Sequence, residues 1–279
     1  MSSNQSNETS NDPGARIRQL EREVATLKNQ LLQVEKDRDE YLQNVSHQIV
    51  APLNAMKWHI ENLTNARVGY ERGLKVLRSV YSQATLAAHL AKNFKLMSNL
   101  GSEHTLASLN EPLQEVPLCP LLINLSDDFQ PLAWEDDIQI GVTTAKFETT
   151  PPVLAMKPLI SQVFSNILEN AVKYSKKHSR ITISGQYVKD KDSVEVSIRN
   201  LGIPLTNEEL AHIFERGYRS ARAKSKYPAG TGFGLYIARR IVELHEGQIS
   251  ASIEQDGSAV FRVVLTVGGL KGKARIRVQ

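Results

Sequence analysis

Ile17, Leu20, Val24, Leu27, Leu31 and Val34 follow one another at alternating steps of three and four. No other feature limits the fold of this 279-residue chain as tightly. A helix turns once every 3.6 residues, so this spacing lays all six side chains along one stripe. With Ile17 at heptad position a and Leu20 at d, the register continues through Arg38, Tyr41 and Val45. Glu, Lys, Arg and Gln fill most of the other positions. A seam of this kind calls for a second helix, and a parallel coiled-coil dimer is expected over residues 13–40. A lone amphipathic helix packed on its own domain is the alternative, and the charged flanks favour the coil. Asp12 and Pro13 supply the start, as N-cap and first helical residue.

The rest of the composition excludes several classes. The opening "MSSNQSNETSND" holds too little apolar surface to order itself, so residues 1–12 are expected to be a disordered tail. No apolar run approaches the roughly 18–20 residues that span a bilayer, and no basic head precedes an apolar stretch as in a signal peptide. Cys119 is the only cysteine, which rules out an internal disulfide and fits a reducing cytoplasm. A net charge of +4 is too mild to suggest nucleic-acid binding. Residues 271–279, "KGKARIRVQ", are expected to be a solvated basic tail.

The heptad register places His47 at c, on the exposed flank, and Gln48 at d. Pro52 lacks an amide hydrogen and clashes with the carbonyl four residues back, at Gln48, which predicts a kink beside His47. The helix resumes through "LNAMKWHIENL". A second helix, residues 71–100, carries Leu74, Leu77, Tyr81, Leu86, Leu90, Phe94 and Met97. Two such hairpins, one from each chain, make a four-helix bundle over residues 41–103 with His47 on its outside.

"LNEPLQEVPLCP" marks a boundary, after which the pattern becomes that of a sheet with one wet face. Strands are expected at residues 138–142, 181–187, 194–199, 249–253 and 260–267, with helices between them. The class is therefore α+β: a coiled coil and dimeric four-helix bundle, then an α/β sandwich over 104–270. The helix at 158–175 sets Asn166, Asn170 and Lys173 along one polar ridge. An amide oxygen suits Mg²⁺, a lysine suits a phosphate, and Tyr174 offers an aromatic face to a base. Thr206 and Glu209 form a capping box that starts another helix, with Leu205 and Leu210 as its staple. From Arg216 to Lys226 five cations occur with no acidic residue, and Pro228 to Gly230 follow, as in a mobile anion-facing lid. Gly230, Gly232 and Gly234 precede a helix, where backbone amides can approach phosphate. Their spacing is not that of the dinucleotide fold.

These segments resemble the sensor histidine kinases of two-component signalling, over about Asp37 to Val267. His47 with Pro52 is similar to the phosphoacceptor box and "NILENAVKYS" to the N box. "RNLGIP" and "GTGFGLYIARRIVELHEGQI" are similar to the two glycine boxes, and "IFERGYRS" to the F box. The resemblance implies an ATP-binding domain of the superfamily that also includes gyrase, Hsp90 and MutL. It further implies that His47 accepts the γ-phosphoryl group of ATP, with Gln48 orienting the ring, and passes it to an aspartate of a response-regulator receiver domain. Asn170 would hold Mg²⁺ with Asn166 in support. Lys173 would meet phosphate, Tyr174 would pack near adenine, Asn200 would read the base and Gly202 would admit it. Phe214, Arg216 and Arg219 would belong to the lid. Gly230, Gly232 and Gly234 would cradle phosphate, with Leu235 beside them.

Three positions depart from the family pattern. Gln48 stands where a carboxylate usually serves as base, Ala51 where Thr or Asn assists dephosphorylation, and Asn200 where Asp reads the adenine amino group. Pro204 also replaces a glycine. Slow autophosphorylation and weak phosphatase activity are expected. Two other readings stay open: a dimeric scaffold that binds nucleotide without self-phosphorylation, and an ATPase module that drives conformational change. No sensor domain is evident, so input is expected from a longer receptor or an upstream sensor protein acting through the coil.

Overall fold

The computed structural model describes residues 13–65, 69–99, 112–228 and 230–268. The two expected tails, 1–12 and 271–279, and the expected boundary at 103–104 lie outside the described residues. Helix α1 runs from Pro13 to Asn65 without interruption. It passes both the expected division at residue 40 and Pro52, which is buried inside the helix and does not end it. Any bend and the lost hydrogen bond are thus absorbed within one element.

The chain divides into two compact units, Met1–Asn44 and Val45–Gln279. In the first, the heptad residues Ile17, Leu20, Val24, Leu27 and Leu31 are between 44% and 63% exposed. Their stripe is formed as expected and lies open to water along this chain.

The second unit holds α2 (Tyr70–Asn99), α3 (Leu118–Ala133), α4 (Lys157–Tyr174), the short α5 (Asn207–His212) and α6 (Ala221–Lys226), and α7 (Gly234–Leu244). Seven strands accompany them: β1 (Gln114–Val116), β2 (Gln139–Val142), β3 (Val153–Ala155), β4 (Arg180–Val188), β5 (Ser193–Asn200), β6 (Gln248–Ile253) and β7 (Ala259–Thr266). Five form a sheet in the order β2-β4-β5-β7-β6, with β2 and β4 parallel and the other neighbours antiparallel. β1 and β3 pair separately as an antiparallel ribbon.

Alternation in the strands supplies the core. Ile181 and Ile183 on β4, Val194, Val196 and Ile198 on β5, and Phe261, Val263 and Leu265 on β7 are buried. They share one cluster with Ile160, Val163, Phe164, Ile167 and Leu168 of α4 and Ile237, Ala238, Ile241 and Val242 of α7. Each large apolar side chain removed from water in this way contributes about 1.5–3 kcal/mol. Gln130 fastens α3 to β2, its amide donating to the Ile138 carbonyl at 2.9 Å and accepting from the Ile140 amide at 2.8 Å. All five strands expected from the sequence are present within two residues. Helices α3 and α6 and the β1–β3 ribbon were not expected.

His245 closes the far end of α7. Its Nε2 accepts from the Met156 amide at 3.1 Å, and its Nδ1 lies 2.8 Å from the Ile241 carbonyl, so the neutral Nδ1–H ring satisfies both. Burial holds the imidazole below its ordinary value, partly offset by the Ile241 carbonyl. The unfolded chain therefore takes up this proton more readily than the folded one. Above about pH 6.5 both forms are neutral and nothing is lost; below it, stability falls. We expect a lower urea midpoint at pH 5.5 than at pH 7.5, with a shallower drop in a His245→Gln variant.

Candidate functional site

The C-terminal turn of α4 and the end of β5 are stitched together. The Lys176 amide donates to Leu201 O at 2.9 Å, and the Ile203 amide to Tyr174 O at 3.0 Å. Ser175 leaves the helix in an extended conformation while its hydroxyl donates back to Ala171 O at 2.6 Å. Gly202 sits so close that a Cβ there would lie 2.5 Å from Tyr174 O, which admits no other residue without movement. Asn200 is 4% exposed. Its Nδ2 donates to Ser175 Oγ at 3.3 Å, whereas its Oδ1 is buried without a partner. A buried acceptor left unpaired costs about 1–3 kcal/mol. It is therefore poised for a donor brought from outside.

Asn170, Lys173 and Tyr174 are half-buried along the same end of α4. Burial pulls the Lys173 ammonium below its ordinary value, with Glu169 opposing and Arg219 assisting. Burial pushes the Tyr174 phenol up, against Arg219. Asn166, expected to support Asn170, is fully buried, and its Oδ1 accepts from Asn93 Nδ2 of α2 at 2.7 Å.

The segment expected to form a lid is preceded by the capping box, where the Thr206 hydroxyl accepts from the Glu209 amide at 3.1 Å and the Glu209 carboxylate accepts from the Thr206 amide at 2.8 Å. Phe214 is buried and anchors the segment in the core. Arg219, expected in the lid, gathers main-chain carbonyls of its own segment. Its Nη1 donates to Pro228 O at 3.0 Å and Gly230 O at 2.7 Å, and its Nη2 donates to Ala223 O at 3.0 Å and to Tyr227 O. A loop that turns back on itself presents free carbonyls, and a planar fork of donors gathers them. Gly230 is likewise part of this clamp, since a Cβ there would meet the Arg219 guanidinium at 2.9 Å. Arg216 lies 5.8 Å over the Phe233 ring.

α6, capped by the Ser220 hydroxyl on the Ala223 amide, carries the basic run and brings Tyr227 to Tyr174. The two rings meet edge to face at 5.6 Å. Lys173 Nζ lies 5.1 Å from the Tyr227 ring and Lys226 Nζ 5.5 Å from it. Gly232, at φ +73°, and Gly234 lead into α7. A Cβ on Gly234 would touch Asn166 Oδ1 at 3.4 Å, so the glycine-rich turn abuts the amide ridge, with Leu235 half-buried next to it. These contacts bring Lys173, Tyr174, Tyr227, Asn200 and Gly202 together at the C-terminal end of α4 and set Gly234 against Asn166. His47 is exposed on α1. Gln48 beside it is half-buried, with its Nε2 buried and unpaired. Among the described residues no hydrogen bond, ion pair or ring contact joins His47 to the pocket.

Residues 156–268 match the family of histidine kinase-, DNA gyrase B-, and HSP90-like ATPases. Over 254 residues the chain is 31% identical to the adaptive-response sensory kinase SasA of Microcystis aeruginosa, covering 86% of this chain and 62% of that one. Over 234 residues it is 28% identical to the sensor protein kinase WalK of Staphylococcus epidermidis, covering 82% of this chain and 37% of that one. Over most of its length the chain is thus similar to sensor histidine kinases. Its fold is that of the full-length ShkA structure in complex with AMPPNP, at a TM-score of 0.54 and 22% identity over 83% of this chain and 46% of that one. The chain spans less than two thirds of the length of either kinase relative. No described helix is long and apolar enough to cross a membrane.

Nucleotide and Mg²⁺ can be tested against the residues present. The unpaired Asn200 acceptor fits the amino edge of adenine. Asn170 is accessible enough to lend an amide oxygen to a hard cation. Residues that sequence reasoning missed are Ser175 and Tyr227 in the pocket and His89, Asn93, Gln162 and Glu169 behind the ridge. For two of these a signal was present: His89 and Asn93 lie four apart in a helix otherwise striped with leucines.

Proposed function

We propose that the chain is an ATP-dependent protein histidine kinase. It phosphorylates its own His47 and hands the phosphoryl group to an aspartate of a response-regulator receiver domain, acting as a homodimer in the cytoplasm. The domains run as a coiled coil over 13–40, a dimerisation and phosphotransfer region over 41–103 and a catalytic region over 104–270. The observation that carries this reading is an exposed imidazole, His47, in a chain whose other half has the histidine kinase-type ATPase fold. A neutral imidazole is a competent nucleophile near pH 7. Phosphoryl transfer asks mainly for positioning and charge neutralisation.

In this reading Asn200 Oδ1 takes the adenine amino group, Gly202 gives the base room and Tyr174 covers it. Mg²⁺, when bound, neutralises phosphate charge, and Asn170 would hold it. Lys173 adds a point charge at the phosphates, Gly232 and Gly234 let the first amides of α7 approach them, and Leu235 packs beside them. Gln48 can orient the His47 ring but cannot remove its proton, so the rate is expected to be slow. The exposed heptad seam supports dimerisation through α1.

Incubation with Mg²⁺ and γ-labelled ATP, followed by mapping of the modified residue, tests the proposal. An acid-labile label at His47 supports it; nucleotide binding without label returns the chain to the scaffold or the ATPase-module reading. Asn200 gives a sharper test of the pocket. A hydrogen bond to an ionised acceptor is about twice as strong as a neutral one. Asn200→Asp is expected to bind adenine nucleotides about tenfold more tightly, a gain of about 1.4 kcal/mol, with no gain for guanine nucleotides. Calorimetry on both variants checks this.

A further inference from the structure

Asn200, the last residue of β5, carries a side chain whose two ends have one shape and opposite chemistry. One end of an amide accepts a hydrogen bond and the other donates, and a half-turn exchanges them. The direction it faces decides which base edge it can meet. Adenine offers an amino group at ring position 6, whereas guanine and hypoxanthine offer a carbonyl there. A carboxylate has no such ambiguity, because both of its oxygens accept. An amide at this position therefore needs something to hold its orientation.

Ser175 supplies it. Both side chains are buried, each residue being 4% exposed, and Asn200 Nδ2 lies 3.3 Å from Ser175 Oγ. The hydroxyl has a single proton, and Oγ lies 2.6 Å from the Ala171 carbonyl oxygen. Two oxygens that close hold the proton between them. Only the lone pairs of Oγ are left for Asn200, and a lone pair calls for a donor. The amide nitrogen thus faces Ser175, and Oδ1 faces the other way, buried and without a partner. Reversal would set Oδ1 against Oγ with no proton between them, or would take the proton away from the Ala171 carbonyl.

The hydroxyl is not needed to finish α4. The Ala171 carbonyl also accepts from the Ser175 amide, at 3.1 Å, so the hydroxyl bond is a second one to the same oxygen. The backbone here is held by other groups. Ser175 and Gly202 form an antiparallel bridge flanked by the amides of Lys176 and Ile203, and Lys226 Nζ reaches the Ser175 carbonyl at 3.4 Å. None of these bonds involves the Ser175 side chain. Gly202 keeps the amide nitrogen clear, since a Cβ there would lie 2.9 Å from Asn200 Nδ2.

We propose that Ser175 is the positioning residue for base selection: by accepting from Asn200 Nδ2 it turns Oδ1 outward, and a neutral amide then takes the amino group of adenine and rejects a 6-oxo purine. This rests on the nucleotide reading of Asn200. With Oδ1 outward, a 6-oxo purine brings oxygen against oxygen and neither finds a proton. A site built to bond one group leaves its own polar atoms stranded when the other arrives. Ser175 does not touch the base; it acts through Asn200.

Calorimetric affinities of the full chain for ADP and for inosine diphosphate, both with Mg²⁺, read the selection as a ratio. The two bases differ only at position 6 and the adjoining ring nitrogen. The parent is expected to bind ADP at least about tenfold more tightly than inosine diphosphate. Ser175→Ala lets the amide face either way, so the ratio should fall to within about threefold. Inosine diphosphate should itself gain affinity, which loosened packing would not produce. In an Asn200→Asp background there is no orientation to fix, so adding Ser175→Ala should change the ratio by less than about twofold. Three results overturn the proposal: a parent that binds both nucleotides equally, a ratio unmoved by Ser175→Ala, or an equal fall in both backgrounds. The first needs no variant and stays decisive if Ser175→Ala fails to fold. Absence of binding of either nucleotide by the parent overturns the nucleotide reading itself, and the proposal with it.

Discussion

His47→Gln is expected to reduce incorporation of acid-labile phosphate from γ-labelled ATP to background, a loss larger than any other single substitution in the chain should produce. Glutamine occupies similar volume and is a good helix former, and His47 is exposed on α1, so neither packing nor helix stability should change by more than a few tenths of a kcal/mol. What disappears is the ring nitrogen. An amide nitrogen has no available lone pair, so no slower version of the same reaction remains. Nucleotide affinity should be unaltered, because His47 makes no described contact with the pocket. A variant that takes up label at the parental rate would place the acceptor on another residue, and the mapping would show which. His59 and His178, half-buried and exposed respectively, would be the first to examine.

Much of this architecture is legible from periodicity alone. Alternation in "ITISGQY" and "VEVSIR" marks β4 and β5 because one face is dry and the other wet. The capping box at Thr206 is legible because both of its bonds lie within four residues. α3 was hidden by its prolines: Pro117 and Pro120 read as a boundary, yet Pro117 is the N-cap and Pro120 lies in the first turn, where no intrahelical amide bond is lost. In the lid, a run of cations pointed to an external anion, but the acceptors Arg219 uses are main-chain carbonyls of Ala223, Tyr227, Pro228 and Gly230, which no side-chain pattern reveals. Asn166 is the same lesson at longer range. Its neighbours on α4 identify the ridge, but the partner that bonds its oxygen is Asn93, 73 positions earlier in the chain. Local patterns are readable in sequence; contacts closed across such distances are not.

Gly232→Ala should cost the chain its hold on nucleotide while leaving the rest of the domain folded. Gly232 has φ +73°, a conformation that costs an L-residue about 1–2 kcal/mol. A methyl group there would also lie 2.7 Å from the Gly217 carbonyl carbon and from Tyr218 O. Both obstructing atoms are backbone, so no side-chain rotation relieves the overlap, and Gly217 is itself at φ +74°. The two glycines are where the start of the lid crosses the turn into α7, and separating them moves the first amides of that helix away from the phosphates. Loss of at least tenfold in nucleotide affinity, about 1.4 kcal/mol or more, is expected. Gly257 is the matched control. It has φ +81° but nothing within 4 Å of a Cβ, and it lies in the turn between β6 and β7. Gly257→Ala should therefore show the conformational cost as a lower melting temperature with affinity intact. If Gly232→Ala behaves like Gly257→Ala in both measurements, close approach of the two backbones is not what shapes the phosphate end of the pocket.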